Sequence, residues 1–342
     1  MVTIYDVAKK SGYSITTVSK VLNNYPNVSE KAKEKVERVV KELGYMPNSS
    51  ARTLATKKSK MIGVVFSEDS DVGITHPFFN RILESFKKQV ELYNYDMLFV
   101  SRNIENNQSY YDHLRNRGVD GVIVAIAESD EVENELKDSD IPVVFIDAFI
   151  ENTNVVYSDN SLGSLMAVDY LYELGHRKIA HITGKPTGFT AMERIQGFQM
   201  AIEKHQLTIP ENYTVDGGYF TYEGGRVAMM KLLALPDPPS AVYVSGDEMA
   251  IGAMKAVKEA GLRVPEDISI IGFDDISMSK YTDPALTTIR QDTDRIGRQA
   301  AVLLLDEIDG NSKNYRAKVI PVSLVKRDSC QTYIHNNTSG EE

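Results

Sequence analysis

The sequence predicts an α/β protein: a small all-α helix-turn-helix headpiece joined to a two-lobed body built on parallel sheets. Three observations carry that expectation. Charge is divided unevenly along the chain, the first sixty residues read as short capped helices, and from Met61 apolar strands alternate with amphipathic helices. Residues 1–60 hold 12 basic and five acidic side chains, a net of +7; the whole chain carries −10, so the remaining residues net −17. A cationic module attracts polyanions and an anionic body repels them, so one end of the chain is expected to approach nucleic acid.

The headpiece comes first. Thr3 is a good N-cap, and Asp6 can complete a capping box ahead of Val7 and Ala8. Ser11-Gly12-Tyr13-Ser14 breaks this helix, and Ser14 can cap a second, Ile15–Leu22, with Val18, Val21 and Leu22 inward at helical spacing. Asn23-Asn24-Tyr25-Pro26 stops it. Ser29 caps a third helix, whose Ala32, Val36, Val39, Val40 and Leu43 form one stripe ended by Gly44. That stripe argues for a folded module over a solvated basic tail. In a helix-turn-helix unit the second helix enters the major groove, which leaves Ile15, Thr16, Ser19 and Lys20 outward. Ile15 could meet a thymine methyl, and Thr16 or Lys20 a base edge or phosphate.

The body follows. Strands are expected at Met61–Phe66, Met97–Val100, Gly121–Ala125 and Pro142–Ile146, with helices at Phe78–Tyr93 and Ser109–Asn116 and a helical segment before the fourth strand. A second series has helices at Leu162–Leu174, Glu193–His205, Tyr222–Leu233 and Glu248–Ala260. Its strands are Lys178–Thr183, Tyr213–Gly217, Ala241–Ser245, Ile268–Gly272 and Leu286–Arg290. Such alternation means βαβ units and parallel sheets covered on both faces. Two series suggest two similar lobes, with a ligand in the cleft outside the carboxyl ends of the strands.

Three ordered motifs now stand together: Thr3-Ile4-Tyr5-Asp6-Val7-Ala8, Ser14-Ile15-Thr16-Thr17-Val18-Ser19-Lys20-Val21-Leu22-Asn23, and Leu43-Gly44-Tyr45-Met46-Pro47-Asn48. They resemble the headpiece of the lactose-repressor (LacI/GalR) family, and the resemblance runs to about Arg327. It implies a bacterial transcription regulator that binds a palindromic operator, double-stranded DNA, as a homodimer. The implied DNA contacts are Tyr5, Ser14, Ile15, Thr16, Thr17, Ser19, Lys20, Asn23, Ser29 and Tyr45. Pro47–Ala55 corresponds to the family's hinge helix, with Leu54 as the wedge in the central base step and Asn48 and Ala51 facing the groove floor or backbone. Read without the resemblance, that stretch is a polar linker.

The body likewise resembles the periplasmic sugar-binding-protein fold. The implied domains are a headpiece over 1–46, a hinge helix and linker over 47–60, and a two-lobed effector-binding and dimerisation body over 61–333. The chain would cross between lobes near Asp159, near Arg290-Gln291-Asp292 and near Pro321-Val322. Lobe 1 is then about 61–159 and 291–321, lobe 2 about 160–290 and 322–333, and residues 334–342 a disordered tail. No leucine-heptad tail follows Arg327, so a dimer is expected rather than a tetramer.

A polyhydroxy effector needs charged or amide groups for paired hydrogen bonds and an aromatic face for its C–H surface. By position in the family pattern, Phe78 lines the pocket, Arg194 clamps hydroxyls, Phe220 stacks and Asp274 accepts from hydroxyls. Thr190 lies four residues before Arg194 at a helix start, Asp247 follows a strand, and Asp147 and Tyr157 lie near the crossover. Ordinary alternatives stand beside these roles. Asp247 and Asp275 could be helix caps, and Phe78 and Tyr157 could be core. The family often has Asn before the aspartate of Ser245-Gly246-Asp247, where this chain has Gly246.

Other classes are poorly served. Gly184-Lys185-Pro186-Thr187-Gly188 lacks phosphate-loop spacing, no Gly-x-Ser-x-Gly elbow occurs, and the six histidines show no paired metal spacing. An enzyme, a metal and a cofactor are therefore not expected. His176 reads as part of a surface turn. The lone Cys330 cannot form an intramolecular disulfide, the apolar runs are too short to span a bilayer, and the N-terminus lacks a signal-peptide pattern, so the expected place is the cytoplasm. The expected function is repression of a carbohydrate-use operon, switched by a small-molecule effector, a sugar. The alternatives are a regulator with a purine or phosphoprotein corepressor, and a sugar-binding transport or sensing protein. The last would carry a signal peptide and no cationic headpiece.

Overall fold

The structure is a computed structural model that describes residues 2–23, 25–46, 58–66, 74–100, 109–125, 130–311 and 315–333. Contacts divide the chain into two units, one of residues 1–61 with 118–120 and the other of the rest. The hinge segment and the tail lie outside the described residues.

In the first unit three helices run over Ile4–Ser11 (α1), Ile15–Leu22 (α2) and Glu30–Leu43 (α3). Each start has its cap. The Asp6 carboxylate accepts from the Thr3 N–H and hydroxyl, both at 2.8 Å. Ser14 Oγ accepts from the Thr17 N–H at 3.1 Å and Ser29 Oγ from the Ala32 N–H at 3.4 Å. Gly12 and Gly44 close α1 and α3 in the left-handed region, which favours glycine. The core is small: Val7, Ala8, Val18, Val21, Val36 and Val39 meet at the centre, with Leu22, Val40, Leu43 and Tyr45 against its edge.

The second unit holds two six-stranded sheets. The first comprises Met61–Phe66 (β1), Asp96–Val100 (β2), Gly121–Ala125 (β3), Val143–Ile146 (β4), Asn154–Ser158 (β5) and, much later in the chain, Ala317–Ile320 (β11). Its order is β11-β5-β4-β3-β1-β2. The second comprises Ile179–Thr183 (β6), Thr214–Asp216 (β7), Ala241–Val244 (β8), Ser269–Asp274 (β9), Thr287–Gln291 (β10) and Val322–Val325 (β12), ordered β12-β10-β9-β8-β6-β7. The central strands β3, β4, β6, β8 and β9 are buried along their length, as parallel strands covered on both faces must be. Strand β12 pairs antiparallel with β10, whereas β10 pairs parallel with β9.

Helices Pro77–Glu91 (α4), Tyr110–Arg117 (α5) and Asp130–Lys137 (α6) accompany the first sheet. Asn160–Glu173 (α7), Phe189–Lys204 (α8), Tyr222–Leu233 (α9) and Asp247–Glu259 (α10) accompany the second. The final helix, Thr293–Ile308 (α11), follows β10 of the second sheet yet packs Ile296, Ala300 and Leu304 into the core of the first. The chain thus passes between lobes after β5, after β10 and between β11 and β12. Asp159 and Asp292 stand at the first two passages, each capping the next helix through the Leu162 and Arg295 N–H groups.

The structure adds elements where sequence periodicity assigned none: β5, α11, β11 and β12. Strand β11 is four residues long, exposed at its first three, and lies at a sheet edge, so it lacks the long apolar run that betrays a buried strand. One expectation is corrected. His176 is no surface turn: it is 2% exposed, with Nδ1 2.9 Å from Ser240 Oγ and Nε2 3.1 Å from Ser269 Oγ. The imidazole is buried because both ring nitrogens find partners at the starts of β8 and β9, which offsets its desolvation.

Candidate functional site

Two surfaces hold the residues singled out in the sequence. On α2, Ile15, Thr16 and Lys20 point to solvent and Ser19 is half-buried, while Val18 and Val21 occupy the opposite, buried face. Tyr5 of α1 is 68% exposed. These side chains can read or grip a duplex without disturbing the core. Others are already engaged within the unit. Ser14 and Thr17 hydrogen-bond each other at 2.9 Å. Asn23 Nδ2 donates to the Ser19 carbonyl at 2.8 Å, closing α2. Ser29 caps α3, and Tyr45 packs on the headpiece core. Asn48, Ala51 and Leu54 lie outside the described residues.

The second surface is the cleft between the sheets, and Arg194 is its centre. Arg194 sits on the first turns of α8 and is 2% exposed. Its Nε donates to Asn160 Oδ1 at 2.9 Å, its Nη1 donates to the Ser245 carbonyl, and its guanidinium lies 3.8 Å from the Phe273 ring centre. Nη2 is 3.9 Å from Asp274 Oδ1, which also accepts from Gln291 Nε2 at 2.7 Å. The cation is therefore held by three elements and aimed at one carboxylate, a rigid arrangement of donors.

Aromatic and strained residues complete this wall. Phe220 lies 5.5 Å from the Arg194 guanidinium and adopts a positive φ of 56°. Asp147, Asp274 and Asp275 also have positive φ. Such backbones persist where surrounding structure over-determines them, which happens often at ligand sites. The ring of Phe220 fills space that two glycines leave open. A Cβ at Gly184 would come within 2.3 Å of Phe220, and one at Gly246 within 3.1 Å. This gives the departure at Gly246 a physical reason: the ring crowds the place where an asparagine side chain would begin.

Across the cleft, Thr190 Oγ1 donates to Asp147 Oδ2 at 3.1 Å, with the Asp147 carbonyl at 3.2 Å. His76, just before α4, places Nε2 3.8 Å from Glu248 Oε2 of α10. Burial holds the His76 imidazolium below its ordinary range despite the pull of Glu248 and Asp147. Burial raises Asp147, with Arg194 and Thr190 opposing. It likewise raises Asp274 against Arg194 and Gln291. The charges of His76, Asp147, Arg194 and Asp274 thus act on one another.

Not every candidate joins this group. Asp247 is fully buried and already committed: it accepts from the Ile276 N–H at 3.0 Å, Ser279 Oγ at 2.6 Å and Thr288 Oγ1 at 2.5 Å. Its carboxyl, pushed up to about 8 by burial and by Asp274, anchors the Ser277–Lys280 turn rather than facing a ligand. Asp275 is an ion-pair partner of Arg290 and Arg327, which hold it low against the cost of burial. Phe78 is 4% exposed in the lobe 1 core with Phe79 and Phe86, so packing claims its ring. Tyr157 meets the Phe189 ring at 5.0 Å, edge to face. His76, Asn160 and Gln291 were not singled out as site residues from sequence. Gln291 and Asn160 lie beside the crossover acids Asp292 and Asp159, and that adjacency is the signal that could have found them.

A cationic helix-turn-helix unit and a two-lobed body with a polar, aromatic-walled cleft define a class: a DNA-binding regulator. The comparisons with known proteins agree. Residues 3–48 match the family model for bacterial regulatory proteins of the lacI family, and residues 168–330 match that for a periplasmic binding protein-like domain. The chain is 39% identical over 316 residues to the probable HTH-type transcriptional repressor ExuR of Bacillus subtilis, covering 90% of this chain and 92% of that protein. It is 37% identical over 338 residues to the HTH-type transcriptional repressor PurR of Pectobacterium carotovorum, covering 96% and 97%. A Lac repressor dimer bound to operator and the anti-inducer ONPF superposes with a TM-score of 0.82 at 31% identity, covering 96% of this chain and 99% of that one. A transcriptional regulator CelR–cellobiose complex matches with a TM-score of 0.74 at 29% identity, covering 96% and 100%. The chain belongs to the LacI family. It is a DNA-binding transcriptional repressor and not an enzyme.

Proposed function

We propose that this repressor binds a palindromic operator as a homodimer and is switched by a small polyhydroxylated molecule, a sugar, held in the cleft. Residues 1–46 are the reading module, with Thr16 and Lys20 of α2 at the groove, and residues 61–333 are the sensing and dimerising body. Asn48, Ala51 and Leu54 are assigned to the hinge contact with DNA. Apolar side chains left exposed on the edge strand β2 and just past α4, Phe99 and Leu92, support a dimer contact of lobe 1. No helix among the described residues is long and apolar enough to cross a membrane, which accords with a cytoplasmic site of action.

The observation that carries the reading is the buried Arg194–Asp274 pair beside Phe220. A cation and a carboxylate 3.9 Å apart, both under a tenth exposed, incur a desolvation cost that packing alone would not select. Hydroxyls that accept from the guanidinium and donate to the carboxylate offset that cost. Phe220 supplies the apolar face. Ligand binding changes operator affinity to the extent that it prefers one arrangement of the lobes over the other.

Selection of duplexes from a random pool, followed by a sugar panel added to the selected complex, tests both halves. Enrichment of two inverted half-sites, and a change in complex lifetime with one sugar, is expected. A weakened complex marks an inducer and a strengthened one a corepressor. Enrichment of no duplex at low salt contradicts the DNA reading, and indifference to every polyhydroxylated ligand contradicts the cleft reading.

A further inference from the structure

The lobes also meet at the cleft through aromatic side chains that the Arg194, Asp274 and Phe220 chemistry above does not use. Phe149 follows β4 in lobe 1, just after Asp147 turns the backbone with a φ of 59°. Tyr157 lies on β5 of the same lobe, and Phe189 opens α8 of lobe 2. The Phe149 and Phe189 rings are stacked, 27° from parallel with centres 6.1 Å apart. Tyr157 stands edge-on to Phe189 at 5.0 Å and to Phe149 at 6.4 Å. Beside this cluster Thr190 reaches Asp147, so one rim of the cleft is closed by an aromatic contact and a hydrogen bond together. The His76–Glu248 contact closes another point. In the first sheet, β4 and β1, which lead to Asp147 and His76, are separated by β3. The two bridges therefore start from strands of the first sheet that are not neighbours.

Phe149 is 51% exposed even with its partners in place. A large apolar side chain on a loop, half in water, gains by covering its other face with a ring from the opposite lobe. That gain exists only when the lobes are together, and it holds the rim shut on the side where Thr190 meets Asp147.

We infer that Phe149, Tyr157 and Phe189 form an aromatic clasp that shuts the cleft over its ligand and restricts the effector to one sugar ring, a monosaccharide rather than a disaccharide or bulky glycoside. The inference rests on the cleft being the effector site. A second ring leaving along this rim would have to part Phe149 from Phe189 and Thr190 from Asp147. The clasp thus sets both the size limit and part of the closing tendency of the ligand-free protein.

The chain has no tryptophan, so Phe149→Trp introduces a single reporter in the clasp. In the ligand-free protein, adding Phe189→Ala is expected to shift its emission to the red and raise acrylamide quenching about twofold, as loss of a stacked neighbour exposes the indole. Identical spectra and quenching would overturn the clasp without reference to any ligand. In the second arm, thermal unfolding is followed with D-glucose, D-galactose, D-ribose, cellobiose and lactose. The wild-type chain is expected to be stabilised by a monosaccharide and by neither disaccharide. The Phe149→Ala/Phe189→Ala double variant should bind that monosaccharide about tenfold more weakly and lose the discrimination. A disaccharide that stabilises the wild type more than any monosaccharide overturns the size limit. Arg194→Ala separates the two levels. If it abolishes the monosaccharide response while the double variant keeps it unchanged, the cleft stands and the clasp falls. If Arg194→Ala responds like the wild type, the cleft reading itself falls.

Discussion

The headpiece and the cleft use opposite means to present chemistry. On α2 the useful side chains, Ile15, Thr16 and Lys20, lie in water over a core of a few valines and an alanine. In the cleft the central pair, Arg194 and Asp274, is buried and braced by Asn160, Ser245, Phe273 and Gln291. On the proposed function, the contrast follows from the partners. A duplex brings its own charge and releases counterions, so exposed donors suffice. A small polar molecule offers few atoms, so its site must be rigid and dry before it arrives. Exposure makes the headpiece tolerant of substitution, whereas burial makes the cleft brittle.

Arg194→Ala should break the comparison most severely. It leaves Asp274 buried without its cation, a change of the kind that costs roughly 3–5 kcal/mol. Ligand-induced stabilisation should vanish in calorimetry, while anisotropy titrations should return an unchanged affinity for DNA. Gly184→Ala comes next. Its added Cβ, 2.3 Å from the Phe220 ring, should displace that ring and weaken the ligand by about 1–3 kcal/mol, the usual range for overpacking, read by isothermal titration.

On the headpiece side the effects should be smaller. Lys20→Ala should weaken DNA binding by about 1 kcal/mol and reduce the slope of log affinity against log salt by about one, with ligand affinity untouched. A final prediction concerns acid–base balance inside lobe 2. The Asp247 carboxyl is held above its unfolded value, so the folded state binds the proton more tightly. The contribution of this group to stability is then fully present below the unfolded carboxyl range and is lost as pH rises toward about 8. Urea melts at pH 5, 6.5 and 8 should show that decline, and Asp247→Asn should flatten it.

Legibility followed the same division. The headpiece was readable because its signals are local: Thr3 with Asp6, Ser14, Ser29, Gly12, Gly44 and one apolar stripe each lie within a turn or two of what they control. The alternation of strands and helices in the body was readable for the same reason. The cleft was readable only in part. Arg194 and Asp274 stand at helix and strand ends, where a ligand is expected, but the hydrogen-bond partners that brace them lie 17 to 51 positions away. Asp247, which the sequence leaves open between ligand carboxylate and helix cap, is committed by partners 29 to 41 residues away, Ile276, Ser279 and Thr288. Phe78 and His176 turn on burial alone, which no single position announces. The meeting of Phe149 with Phe189 depends on two lobes coming together, and the chain separates them by forty residues.

The claim that one unit grips DNA while a separate cleft governs the grip is tested most directly by one titration. A selected duplex is bound by the wild type and by Arg194→Ala, each with and without a ligand shown to stabilise the wild type. The account predicts equal affinities without ligand, and a ligand-dependent change of at least about tenfold, roughly 1.4 kcal/mol of coupling, in the wild type alone. A wild-type affinity that ignores the ligand, or an equal response in Arg194→Ala, would contradict it.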